Sequence, residues 1–145
     1  MDILEKRNIE ITTLAMDGLS QRHKAIASNI ANADSKGYKR VELNFEDQLQ
    51  KIIATDKRKE EHKINNMLNA SNEPLEKGKF DMGYSDFNLQ TTQAADSNFT
   101  DGNNVNIEKE MADLTKNGMT YNALATLQQK AFKSMSDVIQ QGGNS

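Results

Sequence analysis

The chain has no cysteine, no tryptophan and a single proline, Pro74, in 145 residues. Without cysteine there is no disulfide framework, no thiol nucleophile and no sulfur ligand for a metal. That absence fits a cytosolic chain, or one exported through a narrow channel in which a premature disulfide would obstruct passage. Apolar residues are also scarce: 36% of the chain, with a mean hydropathy of −0.77, so a core of ordinary size is hard to build. There is no excess of positive charge. A net charge of −3 and a pI of about 5.4 argue against a general nucleic-acid binder, which needs a cationic field to attract phosphates. No apolar run approaches the ~20 residues of a membrane span, so membrane insertion is not expected. The first ten residues mix acids with bases and lack the basic and apolar regions of a cleaved signal. Any export is therefore expected to take another route.

Asparagine, by contrast, is abundant, with sixteen copies. With so little proline, the composition is polar and tolerant of loops yet permissive of long helices. Residues 3–33 carry Leu4, Ile11, Ala15, Gly18, Leu19, Arg22, Ile26 and Asn29 on one stripe at helical spacing, with Gly37 as a terminator. The C-terminal pattern is stronger. Ile107, Met111, Leu114, Gly118, Tyr121, Ala125, Gln128, Phe132, Met135 and Ile139 alternate steps of four and three, a heptad seam. Asn104 or Asn106 can cap its start, Glu108 and Glu110 sit near the positive end of the helix dipole, and "QQGGNS" closes it.

A second stripe, Leu124, Leu127, Ala131 and Val138, lies on another side of the same helix. One partner helix cannot cover both. The stretch from 41 to 100 offers only a short helix candidate, "FEDQLQKIIA", a solvated charge run, "DKRKEEHK", and a polar loop, "QTTQAADSNFTDGNN". Alternation at Phe80, Met82 and Tyr84 predicts a short strand or hairpin. Burial of the second stripe is therefore expected from other subunits, and the termini are expected to fold fully only on assembly.

"ASNIANADSKGYKR" near the N-terminus and "DGNNVNIEKEMADLTKNGMTYNALATLQQKAFKSM" near the C-terminus resemble the axial proteins of the bacterial flagellum, the rod and hook family. Two distant motifs occur in the right order and cover about half the chain. The resemblance implies a mainly α fold in which long N- and C-terminal helices pair as a coiled coil, the inner layer of a filament. A small irregular middle region, with or without β-structure, lies outside that layer. The implied segments are 1–36, the N-terminal helix; 37–103, the middle region; and 104–145, the C-terminal helix and tail.

By the same resemblance, the chain is a structural subunit of the basal-body rod, without enzymatic activity or cofactor. It is exported by the flagellar type III apparatus and assembles in the periplasm into the drive shaft that transmits torque. Its implied partners are copies of itself, other rod proteins and the FliE adaptor at the membrane ring. The family motif falls on Asn29, Ile30, Asn32, Gly37, Tyr38, Lys39 and Arg40. Asn29 and Asn32 are expected as amides bonding across subunits, a device that fixes register in coiled coils; the alternative is two solvated amides near a frayed end. Gly37 would turn the chain out of the inner layer, and Tyr38, Lys39 and Arg40 would anchor the exit. The chain departs from the family at Ser35-Lys36, where many relatives carry Thr-Pro.

Other signals are weaker. The stretch "DSNFTDGNNVNIE" fails as a calcium loop in both registers, because either the glycine and the terminal acid or a ligand position is wrong. Asn98-Phe99-Thr100 is a glycosylation sequon, a pattern that chance often supplies. His23 and His62 show no metal spacing, and the paired acids Glu60-Glu61 and Glu108-Glu110 have no pocket signature. Gly18 and Gly118 mark either close helix approach or local looseness. The competing function is a soluble helical coiled-coil adaptor or regulator that closes into a discrete oligomer.

Overall fold

The computed structural model describes residues 3–76, 78, 81–94 and 102–142. Helix α1 (Ile3–Ala31) leads to a short strand β1 (Val41–Leu43), helix α2 (Glu46–Leu68), a 3-10 turn (Tyr84–Asp86), strand β2 (Thr91–Gln93) and helix α3 (Ile107–Gly142). The fold is mainly α with one two-stranded antiparallel sheet. Contacts divide the chain into two compact units: Met1–Asn44 with Leu89–Ser145, and Phe45–Asn88. Both division points fall inside the stretch read from the sequence as the middle region.

The first unit is an antiparallel helix pair with a small sheet at one end. Direction and register follow from three contacts between α1 and α3. Asn29 meets Glu110, the Leu19 carbonyl meets Asn117, and Thr13 meets Gln128, so one helix descends in number as the other rises. Leu19, Ala25 and Ile26 of α1 are buried together with Leu43 and Val105. In the sheet, Val41 lies opposite Gln93, Glu42 opposite Thr92 and Leu43 opposite Thr91. The Ala94 N–H donates to the Arg40 carbonyl at 2.8 Å, adding one rung beyond the strands. Arg22 fixes this sheet to α1, its guanidinium donating twice to the Leu43 carbonyl, at 3.0 and 2.8 Å.

The second unit is built on α2, which is longer than the sequence reading: the charge run continues the helix. Lys, Arg and Glu are good helix formers, and Lys57–Glu61 at 3.8 Å is an exposed pair at helical spacing. Ile52 and Thr55 are the buried residues of α2. Phe45 and Phe87 pack edge to face with centroids 6.4 Å apart. Residues 81–86 form no strand, which corrects the expectation from Met82 and Tyr84; Phe80 lies outside the described residues. The backbone there is committed to side chains instead. The Met82 N–H donates to Thr55 Oγ1 at 3.1 Å, the Gly83 N–H to Asp86 at 2.8 Å, and Tyr84 bonds Asp56. The strands form at Val41–Leu43 and Thr91–Gln93, which the sequence pattern left as irregular chain.

Candidate functional site

The family-motif residues converge where α1 ends, the sheet begins and α3 starts. Asn29 is fully buried. Its Nδ2 donates to the Val41 carbonyl and to Glu110 Oε2, each at 2.9 Å. Its Oδ1 accepts from the Val41 N–H at 2.8 Å and from the Tyr38 hydroxyl at 3.2 Å. A carboxamide has two donor hydrogens and two lone pairs, so Asn29 is saturated. This corrects the expectation that Asn29 reaches across to another subunit, for it has no bonding capacity left to do so. The reason is that β1 presents exposed backbone edges beside α1, and an amide matches a backbone peptide group for group.

Asn32 is also engaged within the chain, donating to the Ser28 carbonyl at 2.8 Å. Ile30 is half-buried beside it.

Glu110 is the second centre of this clamp and is fully buried. Its Oε1 takes a hydrogen bond from Arg40 Nε, and Arg40 also pairs with Glu42 and, at 3.6 Å, with Asp113. The arginine side chain is 13% exposed, so the pair with Glu110 is largely shielded from water. Breaking such a buried pair from one side costs about 3–5 kcal/mol, because the remaining charge stays buried and uncompensated.

The "DGNNVN" stretch ties the same region together from the other end. Asn103 Nδ2 donates to the carbonyls of Asn32, Ala33 and Ser35, at 3.1, 2.7 and 2.9 Å, while its Oδ1 accepts the Val105 N–H. Those carbonyls belong to the end of α1 and its exit turn, where intrahelical donors run out. Asn104 Oδ1 accepts the Arg40 N–H at 2.6 Å, and Lys39 Nζ donates to the Gly102 carbonyl at 2.8 Å. Asn106 caps α3 by accepting the Lys109 N–H at 2.9 Å. Gly37 has φ +75°, and this left-handed position lets the chain leave α1 for β1.

The apolar stripes are placed differently from the clamp. In α1, Gly18, Leu19 and Ile26 are buried and Ile11 and Ala15 half-buried, while the Leu4 side chain lies outside the described residues. In α3, the line facing α1 runs through Glu110, Asn117 and Gln128. At roughly 100° per residue, the seam read from the sequence is centred about 50° to one side of that line and drifts toward it along the helix, meeting it at Gln128. Its large residues are accordingly open: Ile107 is 44% exposed, Met111 58%, Tyr121 37% and Phe132 49%. Leu114, Gly118, Ala125 and Met135 are half-buried, and the Ile139 side chain is not among those described. Of the second stripe, Leu124 is half-buried, Leu127 and Ala131 are exposed, and the Val138 side chain is also outside the described set. Met119, at 68%, joins Leu127 on the far side of α3.

Three functional side chains escaped the sequence reading: Glu110 beyond a dipole role, Asn103 and Asn117. Glu110 and Asn117 stand one heptad apart on the α1-facing line, so a search for apolar periodicity passes over them. Asn117 is buried, and its Nδ2 donates to the Leu19 carbonyl at 2.9 Å. Its Oδ1 has no partner. An unsatisfied buried acceptor costs about 1–3 kcal/mol. Swapping the amide end for end does not cure this, since the Leu19 carbonyl can only accept.

Side-chain clamps of this kind organise a helical hairpin. No group of three or more His, Asp or Glu among the described residues could hold a metal ion. No described helix is long and apolar enough to cross a membrane.

Comparison with known proteins gives the class. Residues 9–39, from the second turn of α1 through Lys39, match the family described as "Flagella basal body rod protein". Relatives extend the match to nearly the whole chain. The flagellar basal body rod protein FlgB of Borrelia hermsii is 33% identical over 96% of this chain and 99% of its own length. Those of Borreliella burgdorferi and Salmonella typhimurium are 30% and 28% identical, over 92% and 90% of this chain and 96% and 90% of theirs. The chain belongs to the FlgB family of flagellar basal body rod proteins, structural subunits of the rod.

Proposed function

We propose that the chain is a subunit of the proximal rod, the part of the periplasmic drive shaft nearest the membrane ring. It carries torque from the motor toward hook and filament, and has no catalytic activity. It reaches the periplasm through the flagellar type III export apparatus. There it meets the FliE adaptor, other rod proteins and further copies of itself.

The observation that carries this reading is α3. Its length of 36 residues corresponds to about 54 Å of helix, and it keeps large apolar side chains open on two sides while α1 covers a third. Tyr121 and Phe132 face one way, Met119 and Leu127 another. A monomeric helix pair has no use for such surface, whereas a shaft built from helices buries it against several neighbours. Torque then spreads over many packed contacts rather than a single hinge.

The test is deletion and complementation. Cells lacking the chain should assemble no rod and fail to swim, and the restored chain should copurify with isolated basal bodies. A cytosolic oligomer of fixed stoichiometry, with rods intact in the deletion strain, would instead identify the adaptor.

A further inference from the structure

We infer that the exposed face of α2 in one copy of this chain packs antiparallel against the far side of α3 in a second copy. The inference rests on the rod-subunit reading. It adds to that reading a contact made by the helix of the middle region, apart from any pairing among the terminal helices.

Each of the two faces is apolar at one end and charged at the other. On α2, Ile64, Met67 and Leu68 are open to water, the last two at 74% and 78%. Lys57 and Glu61 precede them on the same side and are also exposed. At roughly 100° per residue, these five positions share an arc of about 120°. On α3, Ala123 and Leu127 are exposed, and Lys133 and Asp137 follow them, exposed in turn. These four positions also fall within an arc of about 120°. Adjoining large apolar side chains left open on a chain with so few of them mark a landing surface.

The charges select the direction. In an antiparallel arrangement each step up α2 is a step down α3. Setting Lys57 opposite Asp137 then brings Glu61 opposite Lys133 with no adjustment, because both pairs are four residues apart. In the same register Leu127 falls level with Met67 and within a turn of Ile64. Ala123 falls within a turn of Leu68, a small residue facing a large one. A parallel arrangement fails on the same residues. Aligning the two charged pairs in parallel sets Lys57 against Lys133 and Glu61 against Asp137, like against like, and leaves the apolar residues unmatched. The apolar contact supplies the attraction, and the two ion pairs fix its register.

The occupant is a second copy because both complementary faces belong to this chain and both are open in it. Since the faces differ, the contact is head-to-tail and does not close on itself, as an open filament requires.

Charge reversal tests the register. Glu61→Lys and Lys133→Glu should each lower the chain recovered with isolated basal bodies roughly threefold or more, and the chain carrying both changes should return close to the wild-type amount. The urea midpoints of the purified variants should stay close to that of the wild type, since both positions are exposed. Single variants that assemble like the wild type, or a double variant no better than the poorer single one, overturn the contact. The cysteine-free sequence allows a direct second reading. Met67→Cys and Leu127→Cys are expressed together as two distinguishable copies, and isolated basal bodies are oxidised. The expected product is a disulfide between position 67 of one copy and position 127 of the other. Basal bodies that contain both variants but yield no such product contradict the contact and leave the rod reading intact. Absence of the wild-type chain from basal bodies overturns both.

Discussion

Asn29 and Val41 exchange two hydrogen bonds, side-chain amide against backbone peptide, at 2.9 and 2.8 Å. The arrangement is that of two neighbouring strands, with one strand replaced by a carboxamide carried on a helix. Gln48 and Asn88 repeat the device in the second unit, donating and accepting at 2.8 and 2.9 Å. A chain short of apolar residues thus secures its connections through amides, each reading both groups of a single backbone residue.

Replacing Asn29 should therefore act on the chain before it acts on assembly. Asn29→Asp is the sharper variant, because it turns a donor shared by the Val41 carbonyl and Glu110 into a second buried carboxylate. A loss of about 3–5 kcal/mol is expected, read as a lower urea midpoint of the purified chain. Asn29→Ala, which leaves several groups unpaired but adds no charge, should cost less. Equal midpoints for Asn29→Asp and the wild type would remove Asn29 from the clamp.

Arg40 and Glu110 should behave as one unit. Arg40→Met and Glu110→Gln are each expected to destabilise by at least about 2 kcal/mol. The double variant should lose less than their sum, since removing both charges leaves no lone buried charge. Strict additivity in the cycle would mean that the pair is not coupled.

Much of this region was legible in the sequence, and its chemistry was not. The helices follow from periodicity, and the cap at Asn106 and the left-handed turn at Gly37 follow from residue preference. The motif residues Asn29, Gly37, Tyr38 and Arg40 were found as a group. Their partner Glu110 was not, because it lies 81 positions from Asn29 and 70 from Arg40 and polar residues carry no periodic signal. The seam in α3 has the right period but is centred to one side of the line that meets α1. Periodicity reports that a helix side avoids water, and is silent about which neighbour covers it. The strands were missed for a related reason: with three residues each they have no pattern of their own, and β1 is held by Asn29 and Arg22 as much as by β2.

Asn103 joins three carbonyls at the exit of α1. Asn103→Ala should cost about 1–2 kcal/mol, the range of a lost helix cap. Its signature is local: amides of residues 32–38 should exchange faster, with those in the second unit unchanged. Uniform acceleration along the chain would point to global loss of stability instead.

Substitutions on the open faces of α3 should show the reverse profile. Met111→Lys and Phe132→Lys lie on exposed positions, so each should shift chain stability by no more than about 0.5 kcal/mol. Both should reduce swimming and lower the amount of chain recovered with basal bodies. Normal motility in the double variant would mean that this flank stays in water in the rod.

Residue-resolved hydrogen exchange on the dilute, purified chain, compared with the chain in isolated basal bodies, is the decisive measurement. The clamp is complete within one chain, so the amides of Arg40, Val41 and Glu110 should already be protected in dilute solution. Residues 118–137 of α3 should exchange quickly there and slowly once assembled, as neighbours cover Tyr121, Leu127 and Phe132. Full protection of 118–137 in the dilute chain, unchanged by assembly, would contradict a helix that waits for its neighbours.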